Sequence, residues 1–483
     1  MTSGRRSAAR QPLPVGLVCA GCGYRVPDDV AFVARCPAAR DGDDIDHVLR
    51  RSIDPGRLAF PEAEPSASTF VRYRALSRAY QLARAAGWPD QRYVDLVERL
   101  DAAVVAIDGR GFRETPLVLA AALAERVGLA SGGLLLKDET GNVSGSHKAR
   151  HLMGVMIDLL VADQLAPGSA SGRLAIASCG NAALAAAVVA RAADRQLEVF
   201  VPSWADPSVV ARLRELGADV TACPREEGEQ GDPTVRRLRE AIAAGAVPFT
   251  CQGNENGLAI EGGQTLGYEM AAQLARRARS SGPDAIARLD AVVVQVGGGA
   301  LASAVAAGFA EARALGALER EPRLYAVQTE GCAPLVRAWQ RFGGRAAIVG
   351  PEAALAHART HRGAYMRVWE TEPTSIAHGI LDDETYDWAA VVEAMERTGG
   401  GATAVDEATV REANELGRDL TGIDADHTGT AGLAGLLSLT RSGLVHEGET
   451  VAVLFTGVRR DDGRVSPSAV AAATSRPQEH IAR

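Results

Sequence analysis

The sequence predicts an α/β protein built on open, mostly parallel β-sheets with helices on both faces. Short apolar runs recur from Thr115 onward, and alanine-rich helical segments separate them: RLAIAS, LEVFVP, ADVTAC, VPFTCQ, AVVVQVGG, RLYAVQT and TVAVLFTG. Strands of a parallel sheet are buried on both faces, so they read as continuous apolar runs. Such sheets bind ligands at the carboxyl ends of their strands, and the residues after each run are therefore the candidate site residues.

Composition limits the class of protein. The 483 residues are 47% hydrophobic, enough for two or three domains with cores of their own. The net charge of −8 argues against the concentrated basic face of a nucleic-acid-binding protein. No window approaches the roughly 20 apolar residues of a membrane span. Seven cysteines and a start without an apolar signal region predict a cytoplasmic protein in a reducing compartment.

Two segments near the N-terminus predict helices. STFVRYRALSRAYQLARAAG and DQRYVDLVERLDAAVVAI, within residues 66–108, each place apolar residues on one helical face. A Trp-Pro pair separates them, and a proline ends a helix at the residue before it. We therefore expect a helical extension ahead of the first sheet.

Polar and glycine residues follow three of the apolar runs. RLAIAS leads into SCGNAA, which places Ser178, Gly180 and Asn181 in a strand-to-helix turn. AVVVQV leads into GGGALAS, so Gly297–Gly299 offer bare backbone N–H groups beside a helix N-terminus, which is a phosphate cradle on physical grounds. TVAVLF ends at Thr456, a neutral hydroxyl.

GNVSGSHKARH adds an amine to this set. Lys148 lies just inside a predicted helix, near unpaired N–H groups and the positive end of the helix dipole, a setting that favours a neutral, nucleophilic amine. Each feature alone has a plainer interpretation, such as a surface lysine, a helix cap or a tight turn. Together, an amine, a phosphate cradle and polar turns are what an aldehyde-bearing phosphate cofactor requires.

A dinucleotide site is the competing interpretation of the glycines. VVVQVGGGALASA also fits G-x-G-x-x-A after a strand, and the next strand ends at Glu330, where such a fold places its ribose-binding acid. That interpretation leaves GNVSGSHKARH and SCGNAA without a function.

The lysine segment resembles a known family. KDETGNVSGSHKAR is similar to K-x-E-x-x-N-P-T-G-S-F-K-x-R of pyridoxal-phosphate enzymes of the tryptophan synthase β-subunit type, fold type II. SCGNAA resembles the S-x-G-N-x-A loop of that family, IEGGQTLGYE its G-Q-G-T-x-x-x-E segment, GGGAL its phosphate loop and FTG its closing strand. These motifs occur in family order across about residues 111–460. The resemblance implies two open, twisted, mostly parallel sheets flanked by helices.

The resemblance also implies roles for single residues. Lys148 would form an aldimine with pyridoxal 5'-phosphate and then act as the base that removes the α-proton, with Ser146 as the second catalytic candidate. Asn181 would contact the phenolic oxygen of the ring. Thr456 would face the pyridine nitrogen, where a hydroxyl favours elimination over transamination.

The loops would hold the two charged groups of cofactor and substrate. The cofactor phosphate would bind the backbone N–H groups of the phosphate loop: Gly297, Gly298, Gly299 and Ala300. The substrate carboxylate would bind the turn formed by Ser178, Cys179 and Gly180.

Departures from the family pattern leave the substrate open. Val143 and Ser144 stand where Pro-Thr is usual, and His147 replaces phenylalanine, as in the tryptophan synthase β-chain. Thr456 is typical of threonine synthases, whereas GGGAL resembles serine/threonine dehydratases and diaminopropionate ammonia-lyases. We expect a lyase that eliminates or replaces a group at Cβ or Cγ of an amino acid. The alternatives are a β-replacement synthase of the tryptophan or cysteate synthase type and a catalytically silent binding subunit.

The N-terminal cysteines resemble a zinc knuckle. LVCAGCG and VARCPAA are similar to the C-x-x-C-G and C-P-x-C halves that precede some threonine and cysteate synthases. Cys19, Cys22 and Cys36 fit as zinc ligands, but Ala39 occupies the fourth position. His47 could substitute, although it lies beyond the usual spacing, and a metal-free knuckle is the alternative.

These expectations combine into one domain plan. We expect a degenerate knuckle at 1–50, a helical extension at 51–110, a large cofactor-binding domain at 111–149 and 266–483, and a small substrate-closing domain at 150–265. The expected partners are an amino-acid substrate and a second copy of the chain in a homodimer, with neither nucleic acid nor membrane.

Overall fold

The computed structural model describes residues 11–40, 42–61, 68–225, 231–279, 288–461 and 464–465. The arginine-containing start at 1–10, which contributed to the expected location, lies outside the described residues. None of the described helices has the length and apolar character needed to cross a membrane.

The strands are short, as the apolar runs predict, and most lie in two sheets. Along the described chain they are β1 (Val15–Cys19), β2 (Leu49–Ile53), β3 (Leu117–Leu119), β4 (Leu134–Asp138), β5 (Leu174–Ala177), β6 (Leu197–Pro202), β7 (Asp219–Cys223), β8 (Val247–Pro248), β9 (Ala291–Gln295), β10 (Arg323–Thr329), β11 (Gly401–Val405), β12 (Val451–Phe455), β13 (Arg460–Asp461) and β14 (Arg464–Val465).

The helices fill the intervals between the strands. Those of the described chain are α1 (Thr69–Arg72), α2 (Arg78–Ala85), α3 (Asp90–Asp108), α4 (Ala121–Arg126), α5 (Lys148–Leu165), α6 (Asn181–Ala192), α7 (Pro207–Glu215), α8 (Pro233–Ala243), α9 (Leu258–Arg279), α10 (Ala300–Ala314), α11 (Pro334–Val349), α12 (Pro351–Thr360), α13 (Arg362–Tyr365), α14 (Trp388–Thr398), α15 (Glu407–Thr421) and α16 (His427–Arg441).

The larger sheet has six strands in the order β11-β10-β9-β12-β4-β3. All neighbouring pairs are parallel except β3 with β4. Side chains of β9 alternate between two cores, since Val292 and Val294 pack on one face and Val293 packs on the other. Helices cover both faces, with α9 and α10 on the first and α15 and α16 on the second. The sheet is therefore buried on both sides, as its apolar strands require.

The smaller sheet has four parallel strands in the order β7-β6-β5-β8. Its strands carry the RLAIAS, LEVFVP, ADVTAC and VPFTCQ runs. Helix α6 follows β5 and is rich in alanine, and its buried residues pack in the same core as β5 and α5. The expected fold class is confirmed: two mostly parallel sheets with flanking helices.

The N-terminal part packs into the core that also contains α5, β5 and α6. Strands β1 and β2 pair antiparallel, and α1, α2 and α3 follow. Helix α3 begins directly after Pro89 and ends at Gly109, which adopts a left-handed φ of 80°. Helices are present in both predicted segments, which separate at Trp-Pro, but the first segment is divided into α1 and α2.

Three strands of the six-stranded sheet were not predicted from the sequence. β4 is LLLKD and β3 is LVL, and both lie at one end of the six-stranded sheet. β11 is GATAV at the other end, where glycine and alanine gave no strand signal. β4 ends in two charged residues, β3 has only three residues and β11 is rich in small residues, so none of the three gave a clear strand pattern.

Candidate active site

The carboxyl ends of two adjacent strands bring polar residues together. β9 ends at Gln295, and its parallel neighbour β12 is followed by Thr456. Gln295 donates from Nε2 to Thr456 Oγ1 over 2.6 Å. The same amide nitrogen lies 3.1–3.3 Å from the carbonyl oxygens of Thr428, Gly429 and Leu454. These acceptors fix the amide orientation, so the Thr456 oxygen accepts a hydrogen bond from Gln295 and its own O–H is free to donate one.

Lys148 is one of only two lysines in the chain. The other, Lys137, is fully buried and donates to Thr115 O, Glu269 Oε2 and Gln273 Oε1 at 2.8–3.1 Å. Lys137 thus makes its hydrogen bonds within a buried network that also includes Arg150. Lys148 is the lysine amine left for chemistry, at the first position of α5.

The segment before Lys148 is held against the end of β12. Ser146 forms a β-bridge with Gly457, and His147 N donates to Thr456 O over 3.3 Å. Val458 N donates to Gly145 O over 3.0 Å. The backbone therefore places Ser146 and Lys148 next to Thr456, although the residues are about 310 positions apart in sequence.

Two neutral histidines accompany Lys148. Burial, with Lys148 nearby, lowers the pKa of His147 well below its usual range and that of His151 to about 3. His151 Nδ1 contacts Ala259 O at 2.9 Å, whereas both ring nitrogens of His147 are buried without a partner among the described residues. A histidine with a depressed pKa is a weak base, so it competes poorly for protons.

The phosphate loop lies between β9 and α10. Gly299 is the N-cap of α10 with a left-handed φ of 94°, so the first N–H groups of a 15-residue helix open onto the loop. A Cβ at Gly297, Gly298 or Gly299 would collide with side chains of the 382–387 segment. The closely packed glycines and the helix N-terminus fit a bound anion.

Asp382 lies against this loop. Burial raises the pKa of Asp382, while Lys148 and the N–H of Gly298 act in the opposite direction. The N–H of Gly298 thus already meets a carboxylate. Asp382 was not predicted from the sequence, because no motif marks the segment that contains it.

The SCGNAA turn lies at the carboxyl end of β5. Gly180 N donates to Ser178 Oγ over 3.4 Å, and Ser178, Cys179 and Gly180 are all partly exposed. A Cβ at Gly180 would meet no atom within 4 Å, so the turn has open space in front of it. Burial raises the pKa of Cys179 to about 11, so its thiol stays protonated at neutral pH.

Asn181 begins α6 and reaches the Thr456 side of the site. Its Nδ2 lies 3.1 Å from the position that a Cβ at Gly457 would occupy. Its Oδ1 accepts from Arg460, a residue that sequence analysis missed. The structure therefore gathers Ser146, Lys148, Asn181 and Thr456 around one point.

Three buried hydroxyls in the lysine segment and the first turn of α10 have no partner among the described residues. Among the described residues, the hydroxyls of Ser144, Ser146 and Ser303 are buried and have no hydrogen-bond partner. Buried polar atoms are normally paired, so these groups fit a polar ligand that completes their hydrogen bonds. The site fits pyridoxal phosphate: one lysine amine, a glycine anion cradle and polar groups for a ring.

The N-terminal segment contains a second cluster. The ligand atoms of Cys19, Cys22, Cys36 and His47 all lie within 4.8 Å of one another. Cys22 Sγ is 3.7 Å from Cys36 Sγ, and Cys19 Sγ is 3.4 Å from His47 Nδ1. His47 thus occupies the position that Ala39 leaves vacant in the sequence pattern.

Comparison with known proteins agrees with the site. Residues 110–457 match the model of the family described as "Pyridoxal-phosphate dependent enzyme". The threonine synthase of Methanosarcina acetivorans is 27% identical over 345 residues, which cover 71% of this chain and 74% of that protein. The threonine synthase of Mycobacterium tuberculosis is 25% identical over 343 residues, which cover 71% and 80%.

Solved structures share the fold. Threonine deaminase isoform 2 from Solanum lycopersicum superposes with a TM-score of 0.54 at 18% identity, covering 79% of this chain and 93% of that one. Diaminopropionate ammonia lyase from Escherichia coli gives 0.54 at 17% identity, covering 80% and 92%. The family match spans the lysine segment, the SCGNAA turn, the phosphate loop and β12. It favours a pyridoxal-phosphate site over the dinucleotide alternative, and the chain belongs to the pyridoxal-phosphate-dependent enzymes of fold type II.

Proposed function

We propose that the protein is a lyase that eliminates or replaces a group at Cβ or Cγ of an amino acid, of the threonine synthase, serine/threonine dehydratase or ammonia-lyase type. The Gln295–Thr456 hydrogen bond is the observation that carries this proposal. A hydroxyl that accepts from Gln295 can donate its own proton to an unprotonated pyridine nitrogen. The names of the curated threonine synthase relatives support the same reaction class.

Pyridoxal phosphate, when bound, supplies a ring that stabilises negative charge at the substrate Cα. The N–H groups of residues 297–300 would bind its phosphate. The Asn181 amide would hold the phenolic oxygen, and the Thr456 hydroxyl would hold the pyridine nitrogen. A neutral hydroxyl from Thr456 at that nitrogen would keep the charge near Cα and Cβ and would favour departure of the leaving group over transamination.

Lys148 moves the proton in this proposal. Its amine accepts the proton from Cα, since His147 and His151 are weak bases. Ser146 has a buried hydroxyl without a partner among the described residues, and it is available to hydrogen-bond the reacting groups. The chemistry thus depends on Lys148, with Ser146 in support.

The turn formed by Ser178, Cys179 and Gly180 binds the substrate carboxylate. The open space in front of Gly180 supports this assignment. We further propose that residues 150–265 form a small domain that closes over the rest of the protein, which excludes water from reactive intermediates.

Two alternatives remain distinguishable. A β-replacement synthase of the tryptophan or cysteate synthase type would use the same residues and add a second substrate. A catalytically silent binding subunit would have no use for the joint arrangement of Lys148, Asn181 and the phosphate loop. Lys148, Asn181 and the phosphate loop therefore favour a catalytically active enzyme over a silent binding subunit.

An absorbance titration tests the reaction. Purified protein is titrated with L-serine, L-threonine, O-phosphohomoserine and diaminopropionate, and 2-oxo acid or threonine formation is followed. We expect one of these substrates to shift the cofactor band and give an elimination or replacement product. Racemisation or transamination as the dominant reaction with all four would contradict the proposal.

We also propose that Cys19, Cys22, Cys36 and His47 bind one zinc ion. The Cys22–Cys36 separation of 3.7 Å matches the edge of about 3.8 Å of a tetrahedron with Zn–S bonds of about 2.3 Å. Cys22 N lies 3.5 Å from Cys19 Sγ, so a backbone N–H supports the thiolate. Asp43 Oδ2 contacts His47 Nε2 at 3.0 Å, which orients Nδ1 toward the three sulfurs.

Metal analysis tests the zinc proposal. We expect about one zinc per chain in the wild type, a large loss in His47→Ala and Cys36→Ser, and full retention in Cys223→Ser, which alters a buried cysteine outside the cluster. Wild-type protein without zinc, or His47→Ala with a full complement, would contradict it.

The remaining proposals concern assembly and compartment. We propose that the protein acts as a homodimer in the cytoplasm. All seven cysteines are free, which supports a reducing compartment. Light scattering of the purified protein tests the dimer.

A further inference from the structure

We propose that Arg460 is a positioning residue that sets the orientation of the Asn181 amide and thereby strengthens cofactor binding. Arg460 begins β13, shortly after β12 and Thr456. Its Nε and Nη2 atoms donate to Asn181 Oδ1 over 3.0 and 2.6 Å. The inference rests on the proposed contact between Asn181 and the cofactor, and adds the residue that controls this contact.

A guanidinium group can only donate hydrogen bonds. The Asn181 atom that faces Arg460 must therefore be the carbonyl oxygen, and the amide nitrogen must face the other way. That nitrogen points toward Gly457, the residue after Thr456. Without Arg460, the amide could turn by 180° and present its oxygen to the site instead.

Arg460 also holds the segment before Lys148. Its Nη2 donates to Ser144 O over 2.5 Å. Ser144 has a left-handed φ of 50°, uncommon for serine, and its N–H donates to Asp108 Oδ2 over 3.0 Å. One partly buried guanidinium thus connects α6, the lysine segment and the chain after β12.

The direction of the amide decides its effect on a ligand. An N–H donor stabilises an electron-rich oxygen, whereas a carbonyl oxygen in the same place repels it. By holding Oδ1, Arg460 leaves Nδ2 to donate to the phenolic oxygen of the ring. Arg460 strengthens binding although it makes no contact with the ring in this proposal.

A double-mutant cycle on full-length apoprotein tests this inference. Pyridoxal phosphate is titrated into the protein and binding is followed by absorbance. We expect Arg460→Met to weaken binding about tenfold, the size of one hydrogen bond to a charged group. The matched control is Arg459→Met, which removes an exposed pair with Asp424 and should leave the affinity unchanged.

The cycle is completed in the Asn181→Ala background. There, Arg460→Met should have no further effect, because the amide that it orients is absent. A tenfold loss in both backgrounds would overturn the inference, since Arg460 would then act through Ser144 or through folding. No loss in either background would overturn it as well.

Asn181→Asp provides a second readout. The aspartate keeps the acceptor for Arg460 and removes the amide donor, so we expect an unchanged melting temperature with weakened cofactor binding. Unchanged affinity would overturn the inference. Failure of every form, wild type included, to bind pyridoxal phosphate would instead contradict the proposed function.

Discussion

Gln295 and Thr456 are joined by a 2.6 Å hydrogen bond across 161 residues of sequence, and this bond determines which way the Thr456 hydroxyl donates. Gln295 occupies the last position of a strand that is otherwise apolar and is almost fully buried. A buried polar side chain needs partners, and Gln295 finds them at the end of the neighbouring strand. The Gln295–Thr456 pair thus leaves a hydroxyl hydrogen-bond donor at one edge of the candidate active site.

Replacing Thr456 with aspartate should change the outcome of the reaction. A carboxylate facing the pyridine nitrogen favours its protonated form, which spreads charge into the ring and permits reprotonation at the cofactor carbon. We expect Thr456→Asp to slow elimination on the order of tenfold or more and to raise abortive transamination. Thr456→Ser, which keeps the hydroxyl, is the control. If product ratios are the same in all three proteins, Thr456 does not face the ring.

Asp382→Asn should tighten binding of pyridoxal phosphate. The Asp382 carboxylate lies beside the loop that receives the phosphate, and removing its charge removes repulsion. Burial raises the pKa of Asp382, so the wild-type carboxylate becomes neutral as pH falls through that raised value. The affinity ratio of variant to wild type should therefore be largest at neutral pH and approach one in acid. A ratio that does not depend on pH would contradict this placement.

The fold and much of the site could be predicted because their signals are local. Apolar runs marked the central strands, and Lys148, Asn181 and the phosphate loop belong to contiguous motifs. β4 was missed because LLLKD ends in charged residues, whose burial depends on distant partners such as Glu269. Arg460 was missed for the same reason, since its partner Asn181 lies 279 residues away.

The buried network around Lys137 should dominate stability. Lys137 and Arg150 pair with Glu269 at 2.8 Å, and all three side chains are at most 1% exposed. Glu269→Gln removes a charge that both cations need, and we expect a loss of about 3–5 kcal/mol in the free energy of unfolding. Asp219→Asn breaks the exposed Arg173 pair and should cost at most about 1 kcal/mol. Urea denaturation of the two variants distinguishes these outcomes, and equal losses would contradict the account.

The same network predicts an acid dependence. Burial alone would raise the pKa of Glu269, but the positive charges of Arg150 and Lys137 have a larger effect and hold this pKa far below its usual 4.5. A depressed folded pKa contributes stability that is fully present above the unfolded value and is lost as pH falls toward the folded one. Stability of the wild type should fall below about pH 4.5, and Glu269→Gln should show a shallower fall. If stability falls equally steeply with pH in the wild type and in Glu269→Gln, acid unfolding depends on other carboxylates.

Substrate carboxylate recognition should be visible in hydrogen exchange. Residues 178–182 are partly exposed, with open space at Gly180, and only a ligand with a free α-carboxylate should order the turn at 178–183. We expect L-serine, but not L-serinamide, to protect this turn in the cofactor-loaded protein. Equal protection by the two compounds would show that the turn does not bind the carboxylate.

The central claim is that Lys148 carries the cofactor. The chain has only two lysines, so borohydride reduction of the yellow protein followed by peptide mass spectrometry gives a direct answer. We predict a pyridoxal phosphate adduct on the peptide with Lys148 and an unmodified Lys137, whose amine is fully buried and donates to Thr115 O, Glu269 and Gln273. An adduct on Lys137, or no adduct at all, would contradict the account.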